Sequence, residues 1–400
     1  MRTPLALFNL WHQQTKTAVS IFGVAFALLL VFMQLGFMGA VSHTATNVLE
    51  HLRFDFIVRA RDYLHLYEPG HFDRKWLDVA ASTPGVADAK PLWITIQNWR
   101  KLPTYEQIQD NNFESQYLPI AMMAFDTNEL VFDLPEVLAQ QSQIKSGHEL
   151  LLDRSTQRDY GPLNGRRFVE ADLGRRPEVG GSEFTIAGLF SLGTGLAANG
   201  AAITSVQGFS RIVPWSVSER VSLGLIELTE DAQPQQVLPS LLGRMRADRD
   251  HAAAVDVLAR DEVLRLERQH WLWHTPIGLI FQLGVVLSLF VGAAIVYMVL
   301  ATDVTNRLPE YATLLAMGYS RKYLASIVMT QALLLSIGGF FVAWGVAEGL
   351  YRVTSSASGI PISMNSQRVV LVSILGVFMC CSSGLLALRK LWKAEPANLF

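Results

Sequence analysis

The sequence predicts an integral membrane, α-helical protein: four transmembrane helices, with a large α+β domain outside the cytoplasm inserted between the first and second. Three observations predict it. Residues 17–42, 271–302, 323–347 and 369–388 contain no Asp, Glu, Lys or Arg, and each reaches the roughly 20 residues a helix needs to cross a bilayer. Basic residues gather at one set of block ends: Arg2 and Lys16, then Arg307, Arg321 and Lys322, then Arg389, Lys390 and Lys393, against only Arg352 and Arg368 between the third and fourth blocks. Residues 43–270, by contrast, have the mixed polarity of a folded domain. Because Lys and Arg stay on the cytoplasmic side, both termini and the 303–322 connector are expected in the cytoplasm, with 43–270 and the 348–368 loop outside it.

Taken in order, residues 1–16 carry Leu5, Phe8, Leu10 and Trp11 beside His12, Gln13, Gln14 and Lys16, the pattern of an interfacial helix on the inner leaflet. The first block starts late and runs long for a cleaved signal. Its QLGFMGA end at 34–40 lacks a small-x-small cleavage site, so it reads as an anchor. Beyond it, strands are expected over 52–59, 92–99, 118–125, 184–189, 201–204, 221–228 and 253–258, and helices over 71–82 and 234–245. Pro84-Gly85 marks a turn, Asn164-Gly165 a tight hairpin turn, and polar residues 154–181 a hairpin with exposed loops. The element order suggests two interleaved subdomains. Residues 261–270 are charged at helical spacing and lead to Trp271 and Trp273, aromatics suited to a membrane boundary. This helix is expected to run on into the second span, with Pro276 kinking it or marking the span's start.

Composition excludes several functions. The chain has 400 residues, 50% hydrophobic and 17% charged, and its formal charge of −2 argues against a nucleic-acid partner. Cys380 and Cys381 both lie in the fourth block, so no disulfide holds residues 43–270, which are long enough to bury an ordinary core. No phosphate-binding Gly-x-x-x-x-Gly-Lys-Ser/Thr loop occurs; GTGLAANG at 193–200 lacks the lysine. His148-Glu149 lacks the second histidine of a zinc helix, and no Gly-x-Ser-x-Gly elbow is present. A non-catalytic chain without its own metal or cofactor is expected.

Within the blocks, Gln34, Gln282 and Gln331 either line a substrate path or hydrogen-bond between helices. Gly284, Ser288 and Gly292 fall four apart, a small-residue ridge for close packing inside the bundle or across a dimer seam. The connector is more specific. Pro309 suits a first helical turn, Glu310 puts negative charge there, Tyr311, Leu314 and Leu315 share one face, Gly318 stops the helix, and Ser320 caps the next. The apolar face is read as docking onto a cytoplasmic partner.

The segments TPIGLIFQLG (275–284), VGAAIVY (291–297), DV (303–304) and LPEYATLLAMGYS (308–320) closely resemble the DevC-type permeases, a branch of the FtsX/MacB-like ABC transporter permeases. MQLGF (33–37), GLFSLG (188–193), LGLI (223–226) and the tail RKLWKAEPANLF (389–400) are also similar, with Glu395 where the family usually has Asp. The resemblance implies a multi-pass inner-membrane subunit with a MacB-like periplasmic domain, paired as a homodimer over a cytoplasmic ABC ATPase that binds the ATP and Mg. It further implies a periplasmic adaptor (membrane fusion) protein, an outer-membrane exit duct, and export of an amphiphile such as a glycolipid by mechanotransmission.

On that resemblance, Glu310, Tyr311, Leu314, Leu315, Met317 and Gly318 are the expected ATPase contact, with Glu395 and Pro396 accessory to it. Residues 190–199, with Phe190, Gly193 and Gly195, are a candidate loop for adaptor or substrate. Two alternatives share the fold: a lipoprotein-release subunit, and an FtsX-like regulator of a periplasmic cell-wall hydrolase.

Overall fold

A computed structural model describes residues 14–101, 116–161, 166–193, 195–247, 255–358 and 361–393. Residues 1–13 of the expected interfacial helix, the Asn164-Gly165 turn, and the tail residues Glu395 and Pro396 lie outside them. The chain divides into unit 1, Met1–Ala40 with Leu272–Phe400, and unit 2, Val41–Trp271. Among the described residues, four helices are long and apolar enough to cross a membrane. The first, α1, runs unbroken over Gln14–Glu50, 37 residues. At about 1.5 Å per residue that is ~55 Å, well beyond the ~30 Å of a bilayer's hydrocarbon.

Unit 2 continues with β1 (Phe56–Ala60), β2 (Phe72–Asp73), α2 (Lys75–Ala81), β3 (Val86–Arg100), β4 (Tyr117–Phe125), α3 (Pro135–Gln140) and β5 (Glu149–Asp153). Then come β6 (Glu178–Val179), β7 (Ser182–Glu183), β8 (Thr185–Phe190), β9 (Ala201–Ser205), α4 (Val206–Ser210), β10 (Arg220–Val221) and β11 (Leu223–Leu228). Helix α5 (Pro234–Ala247), β12 (Val255–Ala259) and α6 (Arg260–Gln269) complete it. The main sheet has the order β12-β1-β11-β3-β4-β9-β5-β8. Its spine is β3, which pairs antiparallel with β11 up to Leu92↔Leu223 and then with β4 from Trp93↔Ala124 onward. Strand β5 was not legible as such: ELLLD is an unalternating apolar run, because β5 is enclosed between β9 and β8.

Trp76, Leu77 and Ala80 of α2, with Val237, Leu241 and Met245 of α5, join Phe56, Trp93, Trp99 and Phe184 in one buried core. The Trp99 ring meets Phe168 edge-on at 5.9 Å. The hairpin expected over 154–181 is not what the described residues form. They make short helical turns around Asp172, wholly buried, which takes Arg166 at 2.6 Å and Arg175 at 2.8 Å. A buried carboxylate satisfied by two guanidinium groups fixes an irregular path that polarity alone cannot announce.

Unit 1 adds α7 (Pro276–Asn306), α8 (Leu308–Ala316), α9 (Arg321–Ser358) and α10 (Ser366–Lys393) to the start of α1. Val24, Leu28, Val31 and Phe32 of α1 pack with Val296, Leu335, Val372 and Met379. The small-residue ridge lies inside this bundle, not on a free seam. A Cβ on Gly284 would sit 2.4 Å from Gln34 Cδ, one on Gly292 2.6 Å from Ala27 Cβ, and Ser288 is buried. Gln282 donates to the Leu272 carbonyl at 2.6 Å, and Gln331 is buried.

The helix expected to continue from 261–270 into the second span is interrupted. After α6 the backbone widens into one π turn, His270–His274, and Thr275 is extended (φ −113, ψ 152). Pro276 then opens α7, since it lacks an N–H and excludes the helical conformation from the residue before it.

Candidate coupling site

The connector helix α8 is shaped by local chemistry. Arg307 at its N-cap holds Asp303 at 3.1 Å and Glu310 at 3.5 Å. Gly318 (φ 88) ends it in the left-handed conformation, with Gly318 N donating to the Leu315 carbonyl and Tyr319 N to that of Leu314. Ser320 Oγ accepts from Tyr323 N at 3.3 Å, starting α9.

The expected docking face is already occupied. Tyr311 is buried, and together with half-buried Leu314 and Leu315 it packs against Val304, Leu324, Val328 and Leu388 of the same bundle. Burial, then the nearby Asp303 charge, pushes the Tyr311 hydroxyl up to about 12. These three residues therefore seat the connector on the bundle. On the opposite side Pro309, Glu310, Thr313, Ala316, Met317 and Gly318 are exposed among the described residues, Met317 at 62%, and Tyr319 just beyond, 46% exposed, stacks on Tyr323. Of the expected contact set, Glu310, Met317 and Gly318 are on the accessible side.

A second constellation lies within unit 2, where the end of α1 meets α6. Arg260 donates to the carbonyls of Glu50 (2.8 Å), Leu52 (2.9 Å) and Phe54 (3.2 Å), and its guanidinium covers the Phe54 ring at 4.8 Å. It thus satisfies acceptors that the C-terminus of α1 leaves open. Two turns on, Arg268 pairs with Glu50 at 2.8 Å, and Thr46 donates to the same carboxylate at 2.7 Å. Glu267, 2% exposed, accepts from the Tyr63 hydroxyl (2.8 Å), Leu66 N (3.0 Å) and Trp271 Nε1 (3.2 Å). Burial raises the Glu267 pKa in spite of those donors. Trp271 is accordingly buried against unit 2, while Trp273 is exposed.

The loop over 190–199 is bound to this same region. Phe190 is fully buried, so it is core and not a contact for adaptor or substrate. Asp153, also buried, takes Gly193 N at 2.8 Å and Leu192 N at 3.3 Å, and Asn47 of α1 donates to the Leu192 carbonyl. Gly193 has φ 100, and a Cβ on Gly195 would strike the Tyr67 hydroxyl. These glycines let the loop close against the end of α1. Sequence reasoning missed Arg260, Arg268, Glu267 and Asp153, because a charged run reads as solvated and their partners are far away in sequence.

The family model for the FtsX-like permease C-terminal domain matches residues 283–396. No curated protein matches the chain. Two solved structures are similar to parts of it. One is the periplasmic region of MacB from Actinobacillus actinomycetemcomitans, at 8% identity and TM-score 0.35, covering 55% of this chain and 95% of that one. The other is the extracellular domain of the noncanonic ABC-type transporter YknZ from Gram-positive bacteria, at 10% identity and TM-score 0.33, covering 51% and 98%. Likenesses at that level carry no argument about this chain's function. The family match lies over α7 to α10, the helices that frame the connector, so that this part of the chain is similar to the C-terminal domain of FtsX-like permeases.

Proposed function

We propose that this ABC permease subunit transmits the motion of a separate cytoplasmic ATPase to a periplasmic domain, unit 2, and so drives export of an amphiphile such as a glycolipid. The observation that carries this reading is the two-sided connector. Its inner face is seated on the bundle through Tyr311, Leu314 and Leu315, and its outer face leaves Met317 and Tyr319 exposed beside Glu310. A helix so seated moves with the bundle when pushed from outside. The Arg260 and Arg268 contacts tie the end of α1 to α6 within unit 2, so displacement of either element is shared. The chain works as a homodimer, with a periplasmic adaptor and an outer-membrane exit duct receiving the cargo; ATP and Mg belong to the ATPase.

The test compares two aspartates in reconstituted vesicles containing the partner ATPase. Met317→Asp is expected to abolish ATPase stimulation while the permease keeps its melting temperature, whereas Leu315→Asp lowers that temperature, because its charge enters the bundle contact. Full stimulation with Met317→Asp would remove the outer face from the coupling contact.

A further inference from the structure

A cavity of about 360 Å³ opens in unit 1 between the start of α1, the end of α7 and the middle of α9. Its volume is at the lower end of the ~300–1,000 Å³ typical of small-molecule sites. The lining is graded. Thr15, Lys16 and Asn306 lie at helix ends, while Val19, Met298 and Leu335 line it deeper along the helices. Asn306 and Met298 are eight positions apart on α7, roughly 12 Å of helix rise.

Charge adds a direction. Asp303, at the polar end, is held by Arg307 at 3.1 Å, whereas Lys16 has no ion-pair partner among the described residues. Among the described residues the mouth therefore offers one uncompensated positive charge. Gln331, 2% exposed, forms part of the wall, and its carbonyl oxygen is buried without a hydrogen-bond partner among the described residues. Val19 and Met298, 65% and 59% exposed, leave the apolar end open to the surroundings of the helices.

We propose that this cavity binds an anionic phospholipid of the surrounding leaflet, its acyl chain along Val19, Met298 and Leu335 and its phosphate at Lys16. A lipid supplies both features the lining demands, an apolar chain to lie along the wall and a negative group at one end. The cavity shares Asp303 with the anchor of the connector, so an occupied site places a lipid phosphate beside the Asp303–Arg307 pair. The proposal rests on the membrane reading of unit 1, and not on coupling to an ATPase.

The test uses the full chain alone, purified in detergent, with phosphatidylglycerol and phosphatidylcholine of equal chain length titrated by native mass spectrometry. Phosphatidylglycerol is expected to bind in preference. Lys16→Gln should weaken it about fivefold, the effect of one basic residue near a lipid surface, and weaken phosphatidylcholine less, because its choline already offsets the phosphate charge. Val19→Trp with Met298→Trp should fill the apolar end and weaken both lipids, without lowering the melting temperature, since both positions are exposed. Equal binding of the two lipids, or a phosphatidylglycerol affinity indifferent to Lys16→Gln, overturns the site. A tryptophan variant that shifts the monomer–dimer balance but not lipid binding assigns the cavity to a second copy of the chain and equally overturns it. Because no ATPase is present, loss of coupling in the vesicle assay leaves this result untouched.

Discussion

Replacing Arg260 by methionine keeps most of the aliphatic stem and removes the fork that serves the carbonyls of Glu50, Leu52 and Phe54. A hydrogen bond to a charged group contributes about 1.5–3 kcal/mol when desolvated. Arg260 is only half-buried, so water recovers part of each lost bond, and we work with a net loss of about 3 kcal/mol for the three together. The positive group also faces the negative end of the α1 dipole, worth ~0.3–1 kcal/mol at a partly exposed site. This loss falls on the end of α1 and the strand that follows, not on the sheet core. Hydrogen exchange of the full chain should therefore show the amides of residues 47–50 opening roughly 100-fold faster, since each ~1.4 kcal/mol is tenfold, while those of β3 and β4 keep their protection. Arg260→Lys, which retains charge but cannot fork, should fall between. Unchanged exchange at 47–50 in the methionine variant would refute the argument that this guanidinium holds the end of α1.

The remaining predictions concern pH and packing. Burial, then the nearby Asp126 and Asp88 charges, pushes the Glu129 carboxyl up to about 7 from an ordinary 4.5. A folded-state value above the unfolded one gives stability that is complete below 4.5 and lost as pH rises through about 7. Melting temperature should thus rise on going from pH 8 to pH 5 by more in the native chain than in Glu129→Gln; parallel profiles would exclude the carboxyl as the source. Gly292→Val places a Cβ 2.4 Å from Met379 Sδ and 2.6 Å from Ala27 Cβ, an overpacking expected to cost about 1–3 kcal/mol of bundle stability. Gly345→Val, with nothing within 4 Å of its Cβ, is the matched control, and equal losses of detergent-extracted folded protein from the two would argue against the ridge as a packing surface.

What the sequence makes legible divides along the range of the forces involved. A charge-free block must satisfy its backbone within itself in lipid, so α1, α7, α9 and α10 are written locally. So are the stop at Gly318 and the cap at Ser320, whose partners lie within a few residues. The Arg260 clamp is the opposite case, joining positions 210 apart, and Glu267 is withdrawn from its charged run by donors on residues 63 and 66, about two hundred positions earlier. The connector shows why an apolar stripe alone misleads. Tyr311, Leu314 and Leu315 announce that their face is covered, but not by what, and the cover is Leu324, Val328 and Leu388 of the same chain. A contact for another protein is better sought in what remains after internal packing is satisfied. Met317 and Tyr319 are large, apolar or aromatic, and exposed just past the end of a short helix that the bundle holds in place, Tyr319 with one ring face on Tyr323. Exposed apolar side chains gathered in one place, unlike single scattered ones, mark interaction sites. On the function proposed above, the coupling surface is therefore sought about half a turn from the face the periodicity selected, on the side that internal packing leaves exposed.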